Sequence, residues 1–130
     1  MNLKQIINEY RKNKDKKTYA ELAEKIFDMH NKNEALGIFM KLDEKGNFVS
    51  FLTKDIANDV YIPIFTEDAD SINNVLEDQK EYVLVMMKIS GLFQLLLNQS
   101  NVEGFVLNDG DGPGNVLFPK ELLEKTIELQ

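Results

Sequence analysis

The spacing of hydrophobic positions changes period along the chain and divides it into three parts. Leu3, Ile6, Ile7 and Tyr10 recur at three- and four-residue intervals, which predicts a short helix with one apolar face. A lysine-rich stretch follows. Thr18-Tyr19-Ala20-Glu21 then has the spacing of a capping box, with Thr18 expected as the N-cap of a second helix. Leu22, Ile26 and Phe27, with Met29 or His30, supply that helix's apolar line. From Leu36 the period becomes two: Leu36, Ile38, Met40 and Leu42 alternate with their neighbours, and residues 48–53 read as a second strand. The polar connection Asp43-Glu44-Lys45-Gly46-Asn47 between them predicts a hairpin.

The remainder alternates strand and helix. Residues 60–65 read as a strand whose Pro63 argues for an edge, a strand end or a bulge. Thr66 is expected to cap a helix over 67–78, with Glu67, Asp68 and Asp70 favourably placed in its first turn. Residues 82–87 form the most apolar run and are expected to be the central strand. Ser90 or Gly91 is expected to open a helix through Leu92, Phe93 and Leu95-Leu96-Leu97. A strand at 105–107, a turn at 108–115 and a returning strand at 116–118 follow. Pro119 is expected in the first turn of a last helix, with Leu122, Leu123, Ile127 and Leu129 on its apolar face. The fold class is therefore α/β (α+β): a mixed β-sheet of about five or six strands with flanking helices and an N-terminal helical pair. Residues 1–130 read as a single domain, 1–33 being a helical extension and 34–130 the mixed-sheet core.

The half from residue 60 onward resembles the N-terminal domain of the SseB (enhanced serine sensitivity) family. Ile62-Pro63-Ile64-Phe65-Thr66 is similar to that family's strand end of proline, apolar residue, Phe and Thr/Ser, followed by an acidic helix start. Gly91-Leu92-Phe93-Gln94-Leu95-Leu96 resembles its middle helix, and Gly104-Phe105-Val106-Leu107-Asn108 its strand of Gly, three apolar residues and Asn. Residues 116–123 resemble its closing strand and helix. The family commonly places proline after the strand-end asparagine, where this chain has Asp109. The resemblance implies a fold; it brings no catalytic residue set, no cofactor and no activity.

Charge and composition narrow the classes. The hydrophobic share of 43% and charged share of 28% are those of a soluble globular chain, and no apolar run reaches the length of a membrane span. The N-terminus lacks the apolar core of a secretory signal, and the absence of cysteine removes thiol chemistry and any sign of an oxidising compartment. The expected localisation is cytoplasmic. The net charge of −7 divides into +3 over residues 1–32 and −10 over the rest. An acidic body of that size repels a nucleic-acid backbone, so nucleic acid and membrane are not expected partners. The basic stretch Arg11-Lys12-Asn13-Lys14-Asp15-Lys16-Lys17 is expected to be a solvated linker.

Candidate chemistry is sparse. Asp109-Gly110-Asp111-Gly112 invites a calcium reading, but the twelfth position from Asp109 is Lys120 and from Asp111 is Leu122, so the bidentate glutamate is missing. The same loop leads into a strand rather than a helix, unlike a phosphate loop. His30 is the only histidine, and no Gly-x-Ser-x-Gly elbow accompanies it. No cofactor is expected. One positional argument survives. In open α/β sheets ligands gather beyond the carboxyl ends of parallel strands. There the sequence would bring together Thr66 and Glu67, Lys88 and Ser90, and Asn108 and Asp109. The first reading is a non-enzymatic protein-binding or regulatory module whose acidic surface suits a basic partner, with self-association left open. The second is a small-ligand sensor or enzyme using the strand-end cluster. A third, an immunity-type protein, rests on acidity alone.

Overall fold

The computed structural model describes residues 1–128, with side chains described through Lys125. Five helices and seven strands follow in the order α1 (Leu3–Asn13), α2 (Lys16–Asn31), β1 (Ala35–Leu42), β2 (Phe48–Phe51), β3 (Lys54–Ile56), β4 (Asp59–Phe65), α3 (Ile72–Asp78), β5 (Tyr82–Lys88), α4 (Ile89–Leu97), β6 (Gly104–Leu107), β7 (Leu117–Pro119) and α5 (Lys120–Glu128). One mixed sheet holds all seven strands. β1 lies at its heart: β5 pairs along one side of it, while β2 and β4 share the other. β4 pairs parallel with β6, and β6 antiparallel with β7.

Two apolar layers form on the two faces. The larger contains Leu3, Ile6 and Ile7 of α1, Leu22 and Ile26 of α2 and Leu92 and Leu96 of α4. They meet Ile38, Ile62, Ile64, Phe105 and Phe118 from the sheet. The N-terminal helices thus share the sheet's own core. The smaller layer joins Phe39 and Phe65 to Ala69 and Ile72 beneath α3, with Leu84 and Val75 beside them. Burial on both faces explains why β1 reads as nearly continuous apolar residues at 36–39.

Several boundaries differ from the sequence expectation, each for a local reason. Asp15, not Thr18, caps α2: its carboxylate accepts the Thr18 amide at 2.7 Å, and this leaves Thr18 buried inside the first turn. The basic stretch is no linker, because Lys14 closes α1 in the left-handed region and Asp15 opens α2 at once. Residues 54–56 form an additional strand, β3, which turns through Ala57 (φ 52°) and Asn58 (φ 73°) into β4. Consecutive left-handed residues are the conformation of a tight hairpin turn, and Ala57 conceals it in the sequence. Pro63 lies between the β3 partner of Tyr61 and the β1 partner of Phe65, where β4 needs no donor on that flank.

Helix α3 begins at Ile72 rather than at 67, so Thr66 caps nothing and Glu67, Asp68 and Asp70 lie in the connection before it. α4 follows β5 without a loop; Ser90 lies within its first turn and makes no cap. Pro119 ends β7 and α5 starts after it. Leu129 lies outside the described residues, and the Ile127 side chain outside the described side chains. The largest difference concerns the most apolar run: β5 is an edge strand, paired only with β1, and its Val83 and Met86 are exposed.

Candidate functional site

β4, β5 and β6 run in the same direction, so their carboxyl ends lie along one rim of the sheet. The rim is built around Asn108. At φ 47° it turns the chain out of β6 in a conformation asparagine tolerates better than most residues. Its amide donates to the Ile64 carbonyl at 2.9 Å. Its carboxamide then carries the ladder one step beyond the strand: Oδ1 accepts the Thr66 amide at 2.8 Å and Nδ2 donates to the Thr66 hydroxyl at 3.0 Å. Both residues are buried, so neither side chain could be left without these bonds cheaply.

The loop behind Asn108 is tied at each acidic position. Asp109 accepts from Lys54 Nζ at 2.6 Å. Asp111 accepts the Ser71 amide at 2.7 Å and the Asp70 amide at 3.3 Å, which ties the loop to the turn just before α3, whose own Ser71 makes no side-chain cap. Arg11 reaches in from α1, and its Nη2 donates to the carbonyls of Asn108 (2.9 Å) and Leu107 (3.4 Å). Burial lowers the Arg11 basicity, while Asp111 and Asp109 pull it back up. Its Nε and Nη1 are buried without a hydrogen-bond partner among the described residues, as is the Ser71 hydroxyl. Gly112 covers the Arg11 stem; a Cβ there would come within 2.9 Å of Arg11 Cδ.

The remaining expected positions lie apart from this knot. β1 stands between β4 and β5, so Lys88 and Ser90 are separated from Thr66 and Asn108 by a strand. Lys88 is exposed and Ser90 half-buried. Glu67 is exposed on the lip of an open groove of about 460 Å³, lined also by Lys4, Glu34, Thr66, Asp68 and Met86. Lys4 is already engaged there, pairing with Asp70 at 3.3 Å and donating to the Asp68 carbonyl at 2.8 Å. Sequence reasoning missed Arg11, Lys54 and Asp111. Arg11 was hidden in a run of charges, and only the glycines at 110, 112 and 114 hinted that something packs closely against this loop.

Among the described residues no group of three His, Asp or Glu side chains could hold a metal ion. His30 lies flat on Phe93 with ring centroids 5.1 Å apart, and its Nδ1 is 3.4 Å from Asn31 Oδ1. It is a core-capping aromatic at the end of α2. No described helix is long and apolar enough to cross a membrane.

Unsatisfied surface lies at the other end of the sheet. Leu42, Phe48 and Val83 are exposed there, around half-buried Met40 and Phe51. The hairpin register passes from Lys41↔Ser50 to Leu42↔Phe48 and skips Val49. That bulge brings Phe48 onto the same face as Phe51, where the rings stack at 6.1 Å and 13°. Val83 sits opposite Met40 from the other side. Compared with family models, with curated proteins and with solved structures, the chain matches none.

Proposed function

We propose that this chain is a non-enzymatic protein-binding module of the SseB type, acting through the apolar patch of Leu42, Phe48 and Val83. The patch is the observation that carries the reading. A stacked aromatic half out in solvent, held up by a bulge and flanked by two further exposed aliphatic residues, is the composition of an interface core. The rim argues the same way from the opposite side, since its Asn108, Thr66, Asp109 and Asp111 are occupied with holding the chain together. The acidic remainder of the surface favours a partner that surrounds its own apolar contact with basic residues.

The test is affinity capture with wild type and with Phe48→Ser, followed by mass spectrometry. One stoichiometric protein, held by wild type and lost with Phe48→Ser, supports the reading. A partner retained undiminished by Phe48→Ser, or none with either bait, overturns it. Asn108 is unsuited to this experiment because its replacement loosens the fold itself. The groove beside Thr66 and Glu67 favours the second reading, a small-ligand sensor. There a ligand would have to displace the Lys4–Asp70 pair, and ligand-dependent thermal shifts abolished by Glu67→Ala would support it.

A further inference from the structure

Four strands, β2, β3, β5 and β7, each pair with a single neighbour, and β2 is four residues long with a register shift against β1. β7 has three residues and terminates in Pro119, so that edge is short and blocked. β3, which covers only part of β4, also has three residues. β5 has seven, without proline or a recorded register shift along its pairing with β1. The Ile89 amide donates to the Glu34 carbonyl at 3.0 Å, which sets the phase of the ladder. Val83, Val85 and Met87 turn their backbone groups towards β1, and Leu84 and Met86 turn theirs away from the sheet. Tyr82 is partly taken care of, its amide donating to the Gln79 carbonyl. The outward groups of Leu84 and Met86 have no backbone partner among the described residues. Beside them the side chains of Val83 and Met86 are exposed, one on each face.

We infer that β5 is the pairing edge for a second copy of this chain, joining two sheets antiparallel about a two-fold axis at Val85. The strand's own sequence selects this occupant. With Val85 opposite Val85, Leu84 and Met86 of each copy face Met86 and Leu84 of the other, and both pairs exchange hydrogen bonds. Exposed Val83 then lies against Met87 on the face of α4, and exposed Met86 against Leu84 on the face of α3. Lys88 faces Tyr82, so no like charges meet within the ladder. Moving the axis one residue back, to Leu84, would set Lys80 against Lys88 and lose contact at the strand end. Over residues 80–88 two lysines stand against one glutamate, on a chain of net −7. Two acidic copies therefore meet along a strip that is not acidic, and a basic peptide would be a poor occupant of it. This pairing shares Val83 with the apolar patch above but uses neither Phe48 nor Leu42, so Met86→Lys tests the dimer and Phe48→Ser the partner reading independently.

Sedimentation across a dilution series, combined with residue-level amide exchange, tests the inference. Wild type is expected at twice the 15.0 kDa of one chain, with the Leu84 and Met86 amides protected only in the dimer. Met86→Pro removes an outward donor and leaves the β1 ladder untouched, and it should give the single-chain mass. Met86→Lys, an exposed substitution compatible with the fold, should do the same and serves where the proline variant does not fold. A wild type that stays at single-chain mass throughout overturns the inference. So does a dimer that survives Met86→Lys, or one whose Leu84 and Met86 amides exchange as freely as in the single chain.

Discussion

The two flanks of the sheet are finished in opposite ways. On the β6 flank nearly every polar group that leaves a strand end is met by another part of the chain: Asn108 by Thr66, Asp109 by Lys54, Asp111 by the amides before α3, and two carbonyls by Arg11. The strand beyond is cut short at Pro119. On the β5 flank a seven-residue strand shows open backbone, and the neighbouring hairpin shows open apolar side chains. Strand-end polarity, where a ligand site would first be sought, is thus spent on stability. The side chains left open are ones that read as core in the sequence.

Replacing Asn108 should break the contrast most severely. Asn108→Ala leaves the Thr66 amide and hydroxyl buried without partners and puts alanine at φ 47°. At roughly 1–3 kcal/mol for each unsatisfied buried group and about 1 for the backbone, the loss should be at least about 3 kcal/mol. Urea unfolding measures it. In a double-mutant cycle with Thr66→Val the two losses should be clearly less than additive. A loss below about 1 kcal/mol would mean the rim is not the clamp described here.

Glycines on the two flanks offer a milder comparison. A Cβ at Gly104 would lie 2.4 Å from the Phe118 carbonyl oxygen and 2.8 Å from Pro119 Cα, both backbone atoms that cannot yield without moving β7. Gly104→Ala should cost about 2 kcal/mol. At Gly91, in α4, the nearest atom is Met87 Cγ at 3.2 Å, the middle of a flexible side chain. Gly91→Ala should be neutral or gain up to about 1 kcal/mol from helix propensity. Thermal unfolding of the pair separates the two signs.

Most helices and strands were legible from period alone, because amphipathic faces and alternation dictate which side chains can be buried. The departures have one cause: a polar residue can serve a neighbour in the sequence or one far from it, and only the local use is visible in a linear pattern. Thr66 stands before an acidic, helix-favouring stretch and reads as a cap, yet its partner is Asn108, 42 residues away. Asp111 reads as a turn residue and holds the amides just before α3, 40 residues away. Arg11 reads as one of several solvated charges and is folded onto β6. β5 misled in the opposite sense. Its uniformly apolar sequence has no alternation to reveal a free edge, and nothing local says that one side will find no strand. Of the expected site, the Thr66–Asn108–Asp109 portion forms one cluster, and Lys88 and Ser90 stand across β1.

Titration separates a buried tyrosine on the clamped side from carboxylates exposed elsewhere. The Tyr19 hydroxyl donates to the Leu117 carbonyl at 2.8 Å, and burial, with a smaller contribution from Tyr10, pushes its pKa up to about 12 from 10.0. A raised folded pKa means that the unfolded chain releases its proton first. The stabilisation is therefore complete below pH 10 and is lost as pH rises towards 12. Tyr19→Phe should flatten this alkaline limb while lowering stability at neutral pH by about 1 kcal/mol for the lost hydrogen bond. Asp15 and Asp43 act at the other extreme. Backbone hydrogen bonds, from Thr18 and chiefly from Asn47, hold their pKa values below 3.8, so their contribution is present above that value and lost as pH falls below it. Denaturation midpoints between pH 8 and 12 that coincide for wild type and Tyr19→Phe would refute the assignment.

Only a small loss of stability should follow truncation of the residue proposed to matter most for recognition. Phe48 is half exposed and Phe39, one strand away on β1, is completely buried. Truncating Phe39 to alanine removes a filled volume against Phe65 and should cost about 3–5 kcal/mol. Truncating Phe48 gives up a surface stack on Phe51 and should stay within about 0.5–1.5 kcal/mol. Phe48→Ser exchanges the same ring for a polar group that water can solvate, so its cost should not exceed that range. If urea unfolding instead finds Phe48→Ser as damaging as Phe39→Ala, Phe48 belongs to the core. Exposure of the patch would then no longer argue for a partner. A small stability change together with loss of a captured protein would give the aromatic a role outside the fold.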